Sequence, residues 1–254
     1  ELDLRLAGDQ EAAATLTACE QEVTDGRSVD HVFPEVELVA NGVEYGRAIT
    51  WDGQPVSLKL DIWAPKGDAV DRRPAVVWIF GGGFIFGNRQ QLQGYAQDSA
   101  RRGYVGVTID YRLDQDPGTG GLAGVNFIRG AANGYQDTMA ALQWLQTNAA
   151  TYRIDPGAVV AGGYSAGAIN AIHAATRPEV THLAGVVSIA GYAFNEVVSG
   201  VDAGFGNVRP GLPPFLMFGG TDDGAVPYPT QVKTCESMKA AGNVCQLVSY
   251  PGAR

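Results

Sequence analysis

The chain has 254 residues, 45% hydrophobic and 18% charged, a length and balance that suit one large domain with a full core. A formal charge of −9 argues against nucleic acid and anionic membrane surfaces as partners, and no apolar run approaches the ~20 residues of a membrane span. The opening Glu1-Leu2-Asp3-Leu4 lacks the pattern of a secretory signal, so either none existed or it has been removed.

Residues 1–34 are mixed in pattern, with a short helix expected over 12–18 and Pro34 closing the segment. Strands are expected over 36–39 and 45–51 around an Asn41-Gly42 turn, then over 56–63, which together read as an antiparallel start to a sheet. The pattern changes at 75–80, which is continuously apolar, as in a strand buried on both faces of a parallel sheet. Helix follows over 91–102, a second buried strand over 105–110, and helix again over 135–150. The strand at 158–161 leads into Gly163-Tyr164-Ser165-Ala166-Gly167 and a helix-friendly stretch after it. Strands at 183–189 and 214–218, a helix over 230–241 and a last strand at 244–250 complete the chain. Strand and helix alternate from residue 75 onward, without internal repeat, which predicts an α/β sheet.

Gly-x-Ser-x-Gly is a common pentapeptide, but here it lies between an apolar strand and a helix. In that setting it predicts a nucleophile elbow. The turn strains the central serine, glycines allow strand and helix to approach, and the helix N-terminus favours developing negative charge near Ser165. Acyl transfer also needs backbone N–H donors at a strand end, and Phe80-Gly81-Gly82-Gly83-Phe84 offers them directly after a buried strand. A phosphate cradle would require a following Lys-Ser/Thr or the dinucleotide glycine spacing, and neither is present. Both features lie at carboxyl ends of parallel strands, where ligands bind in open α/β sheets.

The chain resembles α/β-hydrolases of the carboxylesterase and lipase group over roughly residues 55–253. Val77-Trp78-Ile79-Phe80-Gly81-Gly82-Gly83-Phe84 is similar to the oxyanion segment of type-B carboxylesterases and to the His-Gly-Gly-Gly motif of hormone-sensitive-lipase-like esterases, with Phe80 in place of that histidine. Asp110-Tyr111-Arg112-Leu113, Asp137, Trp144 and Asp155-Pro156 also fall where the family places such residues. The resemblance implies a serine esterase without cofactor, with Ser165 as nucleophile and the amides of Gly82, Gly83 and Ala166 as oxyanion donors. The stretch from Phe215 to Pro227 resembles the family's Gly-x-x-Asp-x-x-Val-Pro pattern, which implies Asp223 as the acid, with Asp222 as the alternative.

Chain order then calls for a histidine after the last strand, and the sequence stops at Tyr250-Pro251-Gly252-Ala253-Arg254. His173 stands eight residues along the elbow helix, roughly 12 Å away. His182 precedes a strand at its opposite end, and His31 breaks the order, so the histidine is expected just after Arg254, through truncation, disorder or natural loss. The stretch 191–213 is short and glycine-bearing, so an open site for soluble, short-acyl esters is expected, with Phe84, Phe86, Tyr164, Tyr192 and Phe194 lining it or serving as core aromatics. Asp110, Asp114 and Asp116 lack the spacing of a calcium loop. Cys235 and Cys245 bracket a helix end and the next strand. A disulfide there implies an oxidising compartment and secretion, two buried thiols leave the protein cytoplasmic, and Cys19 has no evident partner. The alternatives to an esterase are a serine peptidase of the same fold, which usually carries a further large domain, and a non-catalytic hydrolase-fold binding protein.

Overall fold

The computed structural model describes residues 27–116, 125–193 and 208–254. The elements run β1 (Val36–Ile49), β2 (Pro55–Pro65), β3 (Arg73–Ile79), α1 (Gln93–Arg101), β4 (Val105–Ile109), α2 (Val125–Asn148), β5 (Ile154–Tyr164), α3 (Ala166–Thr176), β6 (Leu183–Ile189), β7 (Phe215–Gly220), α4 (Tyr228–Ala240) and β8 (Cys245–Tyr250). Among the described residues the strands form one eight-stranded sheet ordered β1-β2-β4-β3-β5-β6-β7-β8. β1, β2 and β4 pair antiparallel, and every neighbour from β4 to β8 pairs parallel. This is the mostly parallel sheet with antiparallel N-terminal strands that the sequence pattern predicts and that the α/β-hydrolase resemblance implies.

The apolar runs are where the sheet is covered on both faces. All five residues of β4 are buried, and Ala75, Val77 and Ile79 of β3 have no exposed surface. Helix α1 packs on β4 and β2, and α3 packs between α2 and the strands β5 and β6. None of the described helices is long and apolar enough to cross a membrane.

Two expectations from local pattern are corrected. Asn41-Gly42 is not a hairpin turn. β1 runs unbroken through it, with register shifts against β2 on either side, and Gly42 (φ 63°) donates its N–H to the Asp61 carboxylate at 2.6 Å. A β-bulge absorbs the positive φ, and the chain reverses instead at 50–54, where the Thr50 N–H bonds to the Gln54 carbonyl at 2.9 Å. Helix α2 also begins ten residues before the expected start, running through Gly130 and Gly134. These glycines are packing sites, not breakers. A methyl at Gly130 would lie 2.6 Å from Phe84 Cβ, and one at Gly134 would lie 2.4 Å from Asn170 Nδ2 on α3. The predicted helix over 12–18, Cys19 and most of the stretch 191–213 lie outside the described residues.

Cys235 and Cys245 form a disulfide linking α4 to β8. Closing a loop of this length contributes about 2–3 kcal/mol by restricting the unfolded chain. At the other end of the sheet, the Asp68 carboxylate accepts hydrogen bonds from Arg27 and Arg73, both at 2.7 Å, while Arg153 bonds to its carbonyl. Burial pushes the Asp68 carboxyl up, but the hydrogen bonds from Arg27 and Arg73 outweigh it and bring the group down from 3.8 to about 2.

A carboxylate depressed in this way stabilises the fold fully above its unfolded value, and the contribution is lost as pH falls through the folded value. Asp68→Asn should therefore lower the urea midpoint near neutrality, and the gap from the parent should close as pH falls from about 4 towards 2. Urea titrations monitored by circular dichroism across that range test this. A gap independent of pH would show that the Arg27–Asp68–Arg73 contact contributes nothing through charge.

Candidate active site

The strand-to-helix reversal at Ser165 is steric in origin. Ser165 has φ 53° and ψ −120°, a region L-residues avoid, and it caps α3, whose first residue is Ala166. A methyl at Gly163 would lie 2.3 Å from the Gly167 carbonyl carbon. One at Gly167 would lie 2.0 Å from the Ile79 oxygen and 2.4 Å from the Phe80 oxygen. Neither position tolerates a side chain without moving backbone. Every residue of α3 is buried, which explains its run of alanines, and the Ser165 N–H is held by the Ile189 carbonyl at 2.8 Å. The free N–H groups of the first turn of α3 thus lie next to the serine.

The glycine loop after β3 lies against this elbow. A methyl at Gly81 would sit 3.2 Å from Ser165 Cβ and 2.9 Å from the Tyr164 oxygen. Gly82 (φ 118°) and Gly83 (φ 60°) turn the chain, and the Gly82 carbonyl accepts from the N–H groups of Ile85 and Phe86 at 3.1 and 3.3 Å. Among the described residues the N–H groups of Gly82 and Gly83 meet no backbone acceptor. Beneath the loop the Phe80 ring stacks on Tyr111, with centroids 4.2 Å apart, and the Tyr111 hydroxyl donates to the Phe80 carbonyl at 3.1 Å. Burial pushes that phenol well above its ordinary range, so it stays a donor.

The turn that carries the candidate acid follows β7. Asp223 Oδ1 accepts from the N–H groups of Ala225 (2.9 Å) and Val226 (2.8 Å), while Asp222 is exposed and its carboxylate, among the described residues, accepts only from Thr221 Oγ1. Hydrogen bonds run across the intervening strand ends: Ser165 N–H to Ile189, Ala190 N–H to Phe218, Thr221 N–H to Tyr250. Asp223 therefore stands two strands from Ser165 at the same edge, about 10 Å at 4.8 Å per strand. The 250–253 turn folds onto it. The Asp222 N–H donates to the Ala253 carbonyl at 3.0 Å, and the Gly252 N–H donates to Thr221 Oγ1 at 2.9 Å. The chain after β8 emerges beside the candidate acid.

None of the three histidines stands at this edge. His31 pairs with Asp98 on α1, and His182 lies at the start of β6, at the far edge. His173 is fully buried on α3, and burial brings it down to about 3, so it is neutral.

Among the expected lining aromatics, Phe86 (60% exposed) and Tyr164 (50%) are accessible at this edge, and Tyr192 is half-buried against the core. Phe84 does not line the site and meets the other expectation, a core aromatic: its φ is 67° and its ring is fully buried against Tyr111 and Phe127. Phe194 lies outside the described residues. The acidic trio is matched by guanidinium groups: Asp110 by Arg89, and both Asp114 and Asp116 by Arg129. Among the described residues no group of three or more His, Cys, Asp and Glu could hold a metal. A cleft of about 470 Å³ opens farther along the same edge between the 50–54 turn, Phe80, Gly87, residues 110–113 and Gln115. Ser165 does not line it.

What composition and periodicity missed is Gln231, fully buried under the acid turn, and Thr234, whose Oγ1 accepts from the Ala193 N–H at 2.9 Å. Only a buried polar side chain on an otherwise packed helix face marks them.

A strained serine at a strand–helix turn beside bare amides, on this sheet, defines an α/β-hydrolase. Residues 60–202 match the BD-FAE family model, and the chain belongs to that family. Over 112 residues it is 41% identical to Liver carboxylesterase 1 of Oryctolagus cuniculus, a match covering 43% of this chain and 19% of that one. With Phenmedipham hydrolase of Pseudarthrobacter oxydans it shares 37% identity over 129 residues, 50% of this chain and 24% of the relative. The matched part is thus about a fifth of these relatives' length. Among solved structures, Thermogutta terrifontis esterase 2 phosphorylated by paraoxon is 29% identical with a TM-score of 0.67, covering 87% of this chain and 84% of that one. Its butyrate-bound form is 28% identical, also at 0.67, covering 84% of each chain.

Gly167→Ala should displace the elbow, because its methyl meets carbonyl oxygens of β3 and not a movable side chain. The expected loss is at least ~2 kcal/mol in denaturant unfolding. A Gly94→Ala control, in α1 with nothing within 4 Å of the added carbon and no positive φ to strain, should lose less. Equal losses would refute the close-packing account of the elbow.

Proposed function

We propose that the protein is a serine carboxylesterase that hydrolyses short-chain, soluble carboxylic esters through an acyl-enzyme on Ser165. The observation that carries this is the close approach of Gly81, at the start of the glycine loop, to the strained Ser165. Ser165 Oγ attacks the ester carbonyl and passes its proton to a base. The carbonyl oxygen becomes an oxyanion facing the N–H groups of Gly82, Gly83 and Ala166. The alcohol leaves with that proton, and water then releases the acid by the same steps in reverse order of roles. Asp223 orients the base, since one of its oxygens is occupied by its own turn and the other is left for an imidazole N–H. The base is a histidine following position 254, where the 250–253 turn delivers the chain beside Asp223. Short-acyl preference is supported by the butyrate- and propionate-bound forms of the related esterase, and nucleophilic chemistry by its phosphorylated and phosphonylated forms. The substrate is a small-molecule ester, and the disulfide is compatible with secretion.

One observation favours a second reading, a non-catalytic binding protein on the hydrolase fold: no histidine among residues 27–254 stands beside Ser165. Fluorophosphonate labelling separates the two. The esterase reading expects label on Ser165, and Ser165→Ala should lose it together with at least ~10³-fold in kcat/KM. It also expects a chain continued by a histidine after position 254 to exceed one ending at Arg254 by ~10³-fold or more. Absence of label in the continued chain would favour the binder. Among p-nitrophenyl esters, acetate to butyrate should be cleaved fastest, and an optimum beyond about ten carbons would refute the short-acyl assignment.

A further inference from the structure

The helix after the acid turn, α4, carries a polar side chain whose placement the fold alone does not explain. Gln231 is fully buried, and its Nε2 donates to the Val226 carbonyl at 3.1 Å. A methyl at Gly219 would lie 2.5 Å from its Oε1, so the amide lies under both ends of the 219–226 turn. Val226 is thereby held from two sides, its N–H by Asp223 Oδ1 and its C=O by Gln231. Oε1 has no donor among the described residues. A buried amide whose oxygen is unpaired is unfavourable, and a methionine would fill the same volume without that cost. The support is itself fixed. One turn on, Thr234 holds the Ala193 N–H, and the Cys235–Cys245 disulfide pins α4 to β8.

We propose that Gln231 is a positioning residue, which sets the orientation of the Asp223 carboxylate through Val226. The proposal rests on the esterase reading above. A displaced carboxylate aligns the base less well and stabilises its protonated form less. Gln231→Met, in the chain that includes the base, should therefore lower kcat for p-nitrophenyl acetate by ~10-fold or more, with KM within about twofold. The acidic limb of the kcat/KM profile should move to lower pH, and amide exchange in residues 219–226 should quicken. Met238→Ala is the control. Met238 is fully buried on the same helix, so its loss opens a cavity and lowers Tm but leaves the pH limb in place.

An unchanged limb and kcat in Gln231→Met overturns the proposal, and so does an equal limb shift in Met238→Ala. Ser165→Ala hydrolysing at the parent's rate would overturn the esterase reading instead. In that case unaltered exchange at 219–226 still refutes the positioning role, and faster exchange confined to that turn supports it.

Discussion

The structure depends on a close approach of three backbones at the carboxyl edge of the sheet. Helix α3 has to leave β5 so tightly that Gly163 touches Gly167 and Gly167 touches the last carbonyls of β3. Once that contact is made, several other features follow from it. Ser165 is forced to a positive φ, the first turn of α3 points its free N–H groups at the edge, and the glycine loop after β3 must pass against the serine. Phe84 and Ala190, which follow β3 and β6, also have positive φ, so strained non-glycine backbone gathers at this edge. Such strain persists only where surrounding packing imposes it, and here the buried α3 and the Phe80–Tyr111 stack supply that packing.

A second layer of support lies on the other side of the edge and is polar. Helix α4 reaches the loop after β6 through Thr234, the acid turn through Gln231, and β8 through the Tyr228–Ser249 hydroxyl pair and the disulfide. These bonds converge on short turns that have little apolar surface of their own. Hydrophobic packing sets the spacing of the strands but cannot orient a carboxylate. Directional hydrogen bonds to backbone can.

Charge in this protein is mostly internal bookkeeping of the scaffold rather than of the site. Asp68 between two arginines, Asp110 with Arg89, and Asp114 with Arg129 fasten loops at both ends of the sheet. The sequence shows Asp110, Asp114 and Asp116 as an acidic cluster without metal-loop spacing and gives no local sign of the partners of the first two, arginines 21 and 15 positions away. Likewise Gly130 and Gly134 fall before the helix expected over 135–150. Glycine in a helix weakens it locally, and only the arrival of Phe84 and Asn170 makes its missing side chain an advantage. Phe84 beside the glycine loop reads equally as a substrate contact or a core aromatic, and its contacts with Tyr111 and Phe127 place it in the core.

The amino-acid sequence by itself determined the strand–helix alternation, the doubly buried strands, the elbow and the glycine loop. Each of these is written in neighbouring residues, through apolar runs, alternation and the absence of side chains where backbone must bend. The tertiary structure alone decided which strand ends become neighbours, that Asn41-Gly42 is a bulge because β2 pairs on both sides of it, and that Asp223, not Asp222, is the carboxylate held by its turn. It also decided that Gln231 stands under that turn. Those outcomes depend on contacts between segments distant in the chain, whose energies no local pattern contains.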